Sequence, residues 1–570
     1  MSDYDGFVAD LHAHLTSNPN ARVFLGLTHD LGELPDPSAE ALAVEVAEAR
    51  ALLARCEELA AVTDPADFDR ALDLDLAALR LGYDIHYATF RFNGRDQATQ
   101  CPRAGDDIGD GVFMMFINDP RPAEQRLADV TARLEAVPRY IERLLGRVDT
   151  PVARWVNIDD EKIEALPSLF ETIEDWARSI KWGGTDRLVA ARALAEASLA
   201  DYRTRLAALP TTAHLHMGAE AAQELVRLKG IDMSLGELHT MAAEFLAETG
   251  ATIERLRGRI AEKHGLDADI TTADLHTWLN KEFRLQLPDG RLEAILDRYQ
   301  QEREKILGWI RERDLFPVPD DQDMTILRTP AFMAPSIPAG AMMPPAPFRA
   351  GTKRSLVYLT LSEELRDEHT ELGIPGMMVH EGIPGHHLQL ATAAGHASVI
   401  RRHVDAAEHA EGWTTMLEDY MLDLGYMGAL EDEARFIGKR DISRIGARVA
   451  IDLFFMTGER RYLDVGVECD TSSDDPFVAA GNLLQAVTGF VPGRVQAELN
   501  WYSQERGYPL SYLTGNRMVW RMKTEIATAQ AGRFEGLELD RTFHRIFLES
   551  GNMPLTRLRR VFQHEGLLPA

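Results

Sequence analysis

The sequence predicts a mainly α protein with two helical lobes and one small β element, on three observations. Long stretches of the first 315 residues carry Ala, Leu, Glu and Arg, with apolar side chains every three or four positions. A proline- and glycine-rich stretch over residues 316–350 breaks that rhythm, since proline can neither donate within a helix nor fit its interior. Helical periodicity then resumes after residue 376 and continues to the end, with no repeat at a solenoid period.

The first lobe is assigned to residues 1–315. Within it "AEALAVEVAEARALLARCEELAAV", "AEQRLADVTARLEAVPRYIERLLGRV", "VAARALAEASLADYRTRLAAL" and "GRLEAILDRYQQEREKILGWIRERDLF" read as amphipathic helices packed together. Residues 316–354 form a connector. The second lobe, residues 355–570, opens on "SLVYLTL", whose β-branched and aromatic content predicts a short strand. That strand is expected to offer an edge along which an extended substrate lies. The later helices are interrupted at "CDTSSDDP" and "QERGYPLSYLTG".

Charge narrows the partners. With 61 basic against 90 acidic residues the net charge is -29, which repels nucleic acid and anionic membranes, so neither is an expected partner. The opening "MSDYDGFVAD" has no basic segment followed by an apolar one, and no run of about 18 apolar residues occurs, so a soluble, cytoplasmic protein is expected. Cys56, Cys101 and Cys469 are too few and too scattered for a disulfide framework or a Cys-x-x-Cys site.

Chemistry concentrates in "MMVHEGIPGHHLQL", residues 377–390. His380 and Glu381 stand where a His-Glu-x-x-His helix carries its first ligand and its base, but position 384 is proline. On an unbroken helix, His386 would be turned roughly 120° away from His380, and His387 would lie about 10 Å further along. Pro384 and Gly385 make an unbroken helix untenable. If Ile383 and Pro384 bulge outward as a two-residue insertion, His386 returns to the second-ligand position, with His387 the alternative. The third ligand expected is Glu411, 25 residues after His386, on the helix "AEGWTTMLEDYMLDLGY". Glu418, on the same face, is a supporting partner or a replacement. Two imidazoles and one carboxylate would hold Zn2+ and leave a coordination position open.

These two segments, His380-Glu381-Gly382-Ile383-Pro384-Gly385-His386-His387 and Glu411-Gly412-Trp413, resemble the bacterial "domain of unknown function 885" family. Gly218, Arg448, Asp452, Tyr512, Gly515 and His544 also fall where that pattern leads one to expect them. The family is similar to glutamate-liganded zinc peptidases. The resemblance implies a two-lobed helical body with a deep cleft and a small β element near the active site. It also implies a zinc-dependent hydrolase of peptide or other amide bonds acting on a small substrate. In that reading His380, His386 and Glu411 bind the metal and Glu381 is the general base. Tyr512, or failing it His544, steadies the oxyanion. Met416 and Met456 replace a tyrosine and a histidine often found in the family, which brings in a non-peptide amide or natural product as the alternative substrate.

Two readings of another class compete. "FVADLHAHL", with Asp10, His12 and His14, imitates the first strand of an amidohydrolase (β/α)8 barrel, which would need eight strand-helix alternations. The chain instead runs helix after helix, and His12 and His14 are expected on the first of them. An inactive helical scaffold would have no use for Glu381.

Overall fold

Good helix formers dominate the chain, and the computed structural model, which describes residues 3–92, 95–96, 101–330, 340–363 and 366–569, is mainly α. The backbone divides into two compact units. One comprises residues 1–217, 346–350 and 398–403, and the other residues 218–345, 351–397 and 404–570.

The first unit is helical from Asp3–Leu15 through Thr185–Ala207, apart from a two-residue β pair at Arg91–Phe92 and Arg95–Asp96. Its Ala39–Val62 helix begins where Ser38 accepts the backbone N–H of Ala41, a side-chain cap. Residues 398–403 join this unit through Arg401, whose guanidinium meets the Asp73 carboxylate at 2.7 Å. His12 and His14 lie on the Asp3–Leu15 helix as expected, and among the described residues no barrel strands follow.

The second unit is built around the Arg444–Thr457 helix. That helix is apolar on nearly every side and buried from Ile445 to Met456, as a central helix must be. Met416 and Met456 are both fully buried, so the two family departures fill the core. Beside it runs the Ser511–Ala529 helix, whose backbone touches that of the Ala407–Asp423 helix. A Cβ on Gly412 would lie 2.4 Å from the carbonyl carbon of Gly515, and one on Gly515 would lie 1.9 Å from the carbonyl oxygen of Glu408. Only glycine allows this approach.

The β element is a three-stranded sheet. Its middle strand, Lys353–Leu359, pairs in parallel with Gln322–Arg328 and antiparallel with Gly340–Met343. The expected strand at residues 355–361 therefore exists, displaced by two residues. It has neighbours on both sides, so the substrate-binding edge expected of it is corrected: its backbone groups are spent within the sheet. The stretch read as a connector supplies the other two strands, and residues 331–339 of it lie outside the described residues.

Gly515→Ala should cost about 1–3 kcal/mol, the usual range for forcing extra volume into a packed interior. Urea or thermal unfolding of the variant measures it, and an unchanged midpoint would mean that the two helices are free to part.

Candidate functional site

The Gly373–Glu381 helix ends one residue after His380, and a new helix, His386–Ala394, begins with the second histidine. The four residues between them, Gly-Ile-Pro-Gly, contain a cis Ile383–Pro384 bond. The two-residue insertion pictured as bulging outward is packed inward. Ile383 is buried, and the carbonyl of Pro384 accepts a 2.9 Å hydrogen bond from Trp413 Nε1 on the neighbouring helix. Gly385 turns directly over the end of the preceding helix, where a Cβ would stand 2.0 Å from the His380 carbonyl oxygen. Sequence order is thus converted into spatial convergence by a tight, buried break.

As a result, one donor atom each from His380, His386 and Glu411 lies within 4.8 Å of the others. Glu411 Oε2 is 3.4 Å from His386 Nε2 and 3.8 Å from His380 Nε2. Ligands about 2.0–2.1 Å from a tetrahedral ion are separated by about 3.3 Å, so the group has the dimensions of a slightly relaxed metal site. Glu411 Oε2 is buried without a hydrogen-bond partner, and a buried charged oxygen is costly unless an opposite charge faces it.

Charge and hydrogen bonding couple the three groups to one another. Burial works to raise the pKa of Glu411, but the His386 and His380 imidazoles and the Tyr508 phenol outweigh it and hold the carboxyl down at about 2. For His380, burial disfavours the charged form, yet the hydrogen bond to Glu418 and the charges of Glu381, Glu418 and Glu411 push its pKa up to about 9. His380 Nδ1 donates to Glu418 Oε1 at 2.7 Å, which fixes the ring and aims Nε2 at Glu411. Glu418 is therefore the supporting partner of His380. Glu381, half-buried beside it, takes no part in these hydrogen bonds.

His387 points the other way. Its Nε2 donates to Gln322 Oε1 at 2.5 Å and its Nδ1 accepts from Ser355 Oγ at 2.7 Å, so the ring bridges two adjacent strands. Burial, the main cause, pushes its pKa down to about 4 and keeps it neutral. His386 is thus the histidine that joins the cluster.

The remaining candidates separate. Tyr512 borders the group: its phenol interacts with Glu411, and its ring packs 4.4 Å under the Arg448 guanidinium. His544, the second choice as oxyanion donor, is not among the three converging residues. It is fully buried, stacked on Phe316 at 4.2 Å, with Nδ1 donating to the Leu315 carbonyl at 2.8 Å. Its ring meets Trp413, which lies two residues, or about 200°, around the helix from Glu411. The basic residues that follow Tyr512 on its helix, Arg517, Arg521 and Lys523, pair with Glu248, Glu525 and Asp540.

One residue escaped sequence reasoning. Tyr508 donates to Glu411 Oε1 at 3.0 Å. It sits in the turn before the Ser511–Ala529 helix, where no periodicity marks its direction. Only its four-residue spacing from Tyr512 could have drawn attention.

No curated protein matches the chain. Two solved structures share its fold. A "putative lipoprotein" of unknown function from Shewanella oneidensis superposes with a TM-score of 0.75, at 16% identity over 98% of both chains. A protein from Colwellia psychrerythraea, also described as a "putative lipoprotein", superposes at 0.76, with 16% identity, over 99% of both. That shared description overturns the cytoplasmic location expected above. Among the described residues no helix is long and apolar enough to cross a membrane. The family model of bacterial proteins of unknown function, DUF885, matches residues 19–561, and the chain belongs to that family.

Proposed function

We propose that the chain is a zinc-dependent hydrolase of peptide or related amide bonds, with Glu381 as general base. The observation that carries this reading is the convergence of His380, His386 and Glu411 around an unpartnered buried carboxylate oxygen, with a second carboxylate beside them. Two imidazoles and a carboxylate suit zinc and leave room for a further ligand. Zinc bound there would supply a Lewis acid for the substrate carbonyl and a more acidic water.

In this reading the chain's own groups divide the work. Glu381 accepts the proton of the attacking water as its oxygen bonds to the carbonyl carbon, then returns that proton to the nitrogen as the C–N bond breaks. Tyr512 keeps its proton, because burial and the charge of Glu411 raise its pKa. Its phenol, which interacts with Glu411, can donate to the developing oxyanion by turning from that carboxylate to the substrate oxygen, a contribution of about 3 kcal/mol for one well-aimed donor. Glu418 holds His380 in the orientation that presents Nε2.

Metal analysis of the purified protein should find about one zinc per chain, retained in Glu381→Gln and lost in His380→Ala and Glu411→Ala. Short peptides, free or blocked at either end, supply the assay, with and without chelator. Glu381→Gln should slow cleavage by about 10²–10⁴-fold. A parent protein that takes up no zinc ends the proposal.

His387→Leu should behave differently from the ligand variants. It strands Gln322 and Ser355 in the interior and should lower stability by at least about 1–3 kcal/mol. Its zinc content should be unchanged, and loss of zinc from a folded His387→Leu protein would reverse the roles given to the two adjacent histidines.

A further inference from the structure

The second oxygen of Glu411 is already engaged. Oε1 accepts the Tyr508 phenol at 3.0 Å, while Oε2 alone faces the two imidazoles. A carboxylate with both oxygens unengaged can bind a cation through both and fill an extra coordination position. One whose outer oxygen is held by a phenol presents a single oxygen. The distinction matters because a hydrolytic centre with three protein ligands must keep a position for water or substrate.

Tyr508 is itself held. The carboxylate of Asp452, fully buried on the central helix, accepts the N–H of Gly507 through Oδ1 and that of Leu510 through Oδ2, each at 3.1 Å. These amides bracket Tyr508 in sequence, so one side chain clamps the turn on both sides of the tyrosine. Gly507, at φ 73, takes the left-handed conformation that the turn requires. The Tyr508 carbonyl is further bound by the N–H of Ser511 at 2.9 Å and its hydroxyl at 2.5 Å. The rings of Trp501 and Tyr512 flank the phenol, with centroids 5.3 and 5.9 Å away. A buried carboxylate is costly unless its oxygens are satisfied, and Asp452 spends both on this turn.

We infer that Tyr508 is a positioning residue that restricts Glu411 to one metal-facing oxygen, and that Asp452 positions Tyr508 by clamping its turn. The inference rests on the metal reading of the site, and the experiment separates the two. Co2+ serves as the probe, because its visible absorption is stronger in four-coordinate than in five-coordinate sites. Cobalt uptake by the parent protein tests the metal reading alone, and no uptake would end it.

Given uptake, Tyr508→Phe, which removes one oxygen, should still bind one Co2+ per chain, with the weaker bands of a higher coordination number. Asp452→Asn, which cannot accept from both amides, should shift the spectrum in the same direction but less. Chelator competition should show that Tyr508→Phe holds metal at least as tightly as the parent. An unchanged spectrum in Tyr508→Phe overturns the inference. So does a 10–100-fold loss of affinity in a variant with parental melting behaviour, since Tyr508 would then be supporting the ligand rather than restricting it. If Tyr508→Phe does not fold, Asp452→Asn decides by the same spectral criterion.

Discussion

A carboxylate oxygen shut away from water without a donor is an unfavourable thing to build, and the second unit is arranged around one. Glu411 Oε2 has no hydrogen-bond partner, yet it faces two imidazoles at 3.4 and 3.8 Å. Glu418 and Glu381 add negative charge around His380, while the imidazoles supply the positive charge that keeps Glu411 ionised. Three carboxylates and two imidazoles thus act on one another within a single group.

Placement is achieved by backbone contacts more than by side-chain packing. Gly385 lets the chain fold back over the carbonyl end of one helix, and Gly412 and Gly515 let two others touch. Trp413 ties the break to the helix that carries Glu411 through a single hydrogen bond to Pro384. The Gly-Ile-Pro-Gly insertion, which on paper separates the histidines, is the means of bringing them together.

Helical segments were legible wherever apolar periodicity was strong. The stretch at residues 39–62 is observed as a helix with those bounds, and Glu411 and Glu418 fall on one helix as their spacing requires. The sheet was only partly legible. "SLVYLTL" has strand composition, but nothing local shows that "DMTILR", inside a proline-rich stretch, pairs beside it. Within the site, residues next to each other in sequence were readable and those brought in by tertiary packing were not. His380, His386 and Glu411 follow from spacing plus a helix break. The opposite directions of His386 and His387 depend on strands more than 30 residues upstream. His544 ranks second to Tyr512 through the family resemblance, and the aromatic rings packed around it are a tertiary feature that its sequence position does not show. Tyr508 lies in an aperiodic turn whose path is set by a carboxylate 56 residues earlier.

The bridge from His387 to Gln322 and Ser355 also bears on how the sheet settles. Strand side chains alternate between faces, so pairing one residue out of step would replace Ser355 with Arg354 or Leu356 on the surface that meets the ring. A buried imidazole would then lose a partner and pay for its isolation. Correct alignment of two strands and correct aim of the neighbouring histidine are thereby made a single condition, and a misaligned sheet is penalised at the same place where the helix that starts with His386 is anchored.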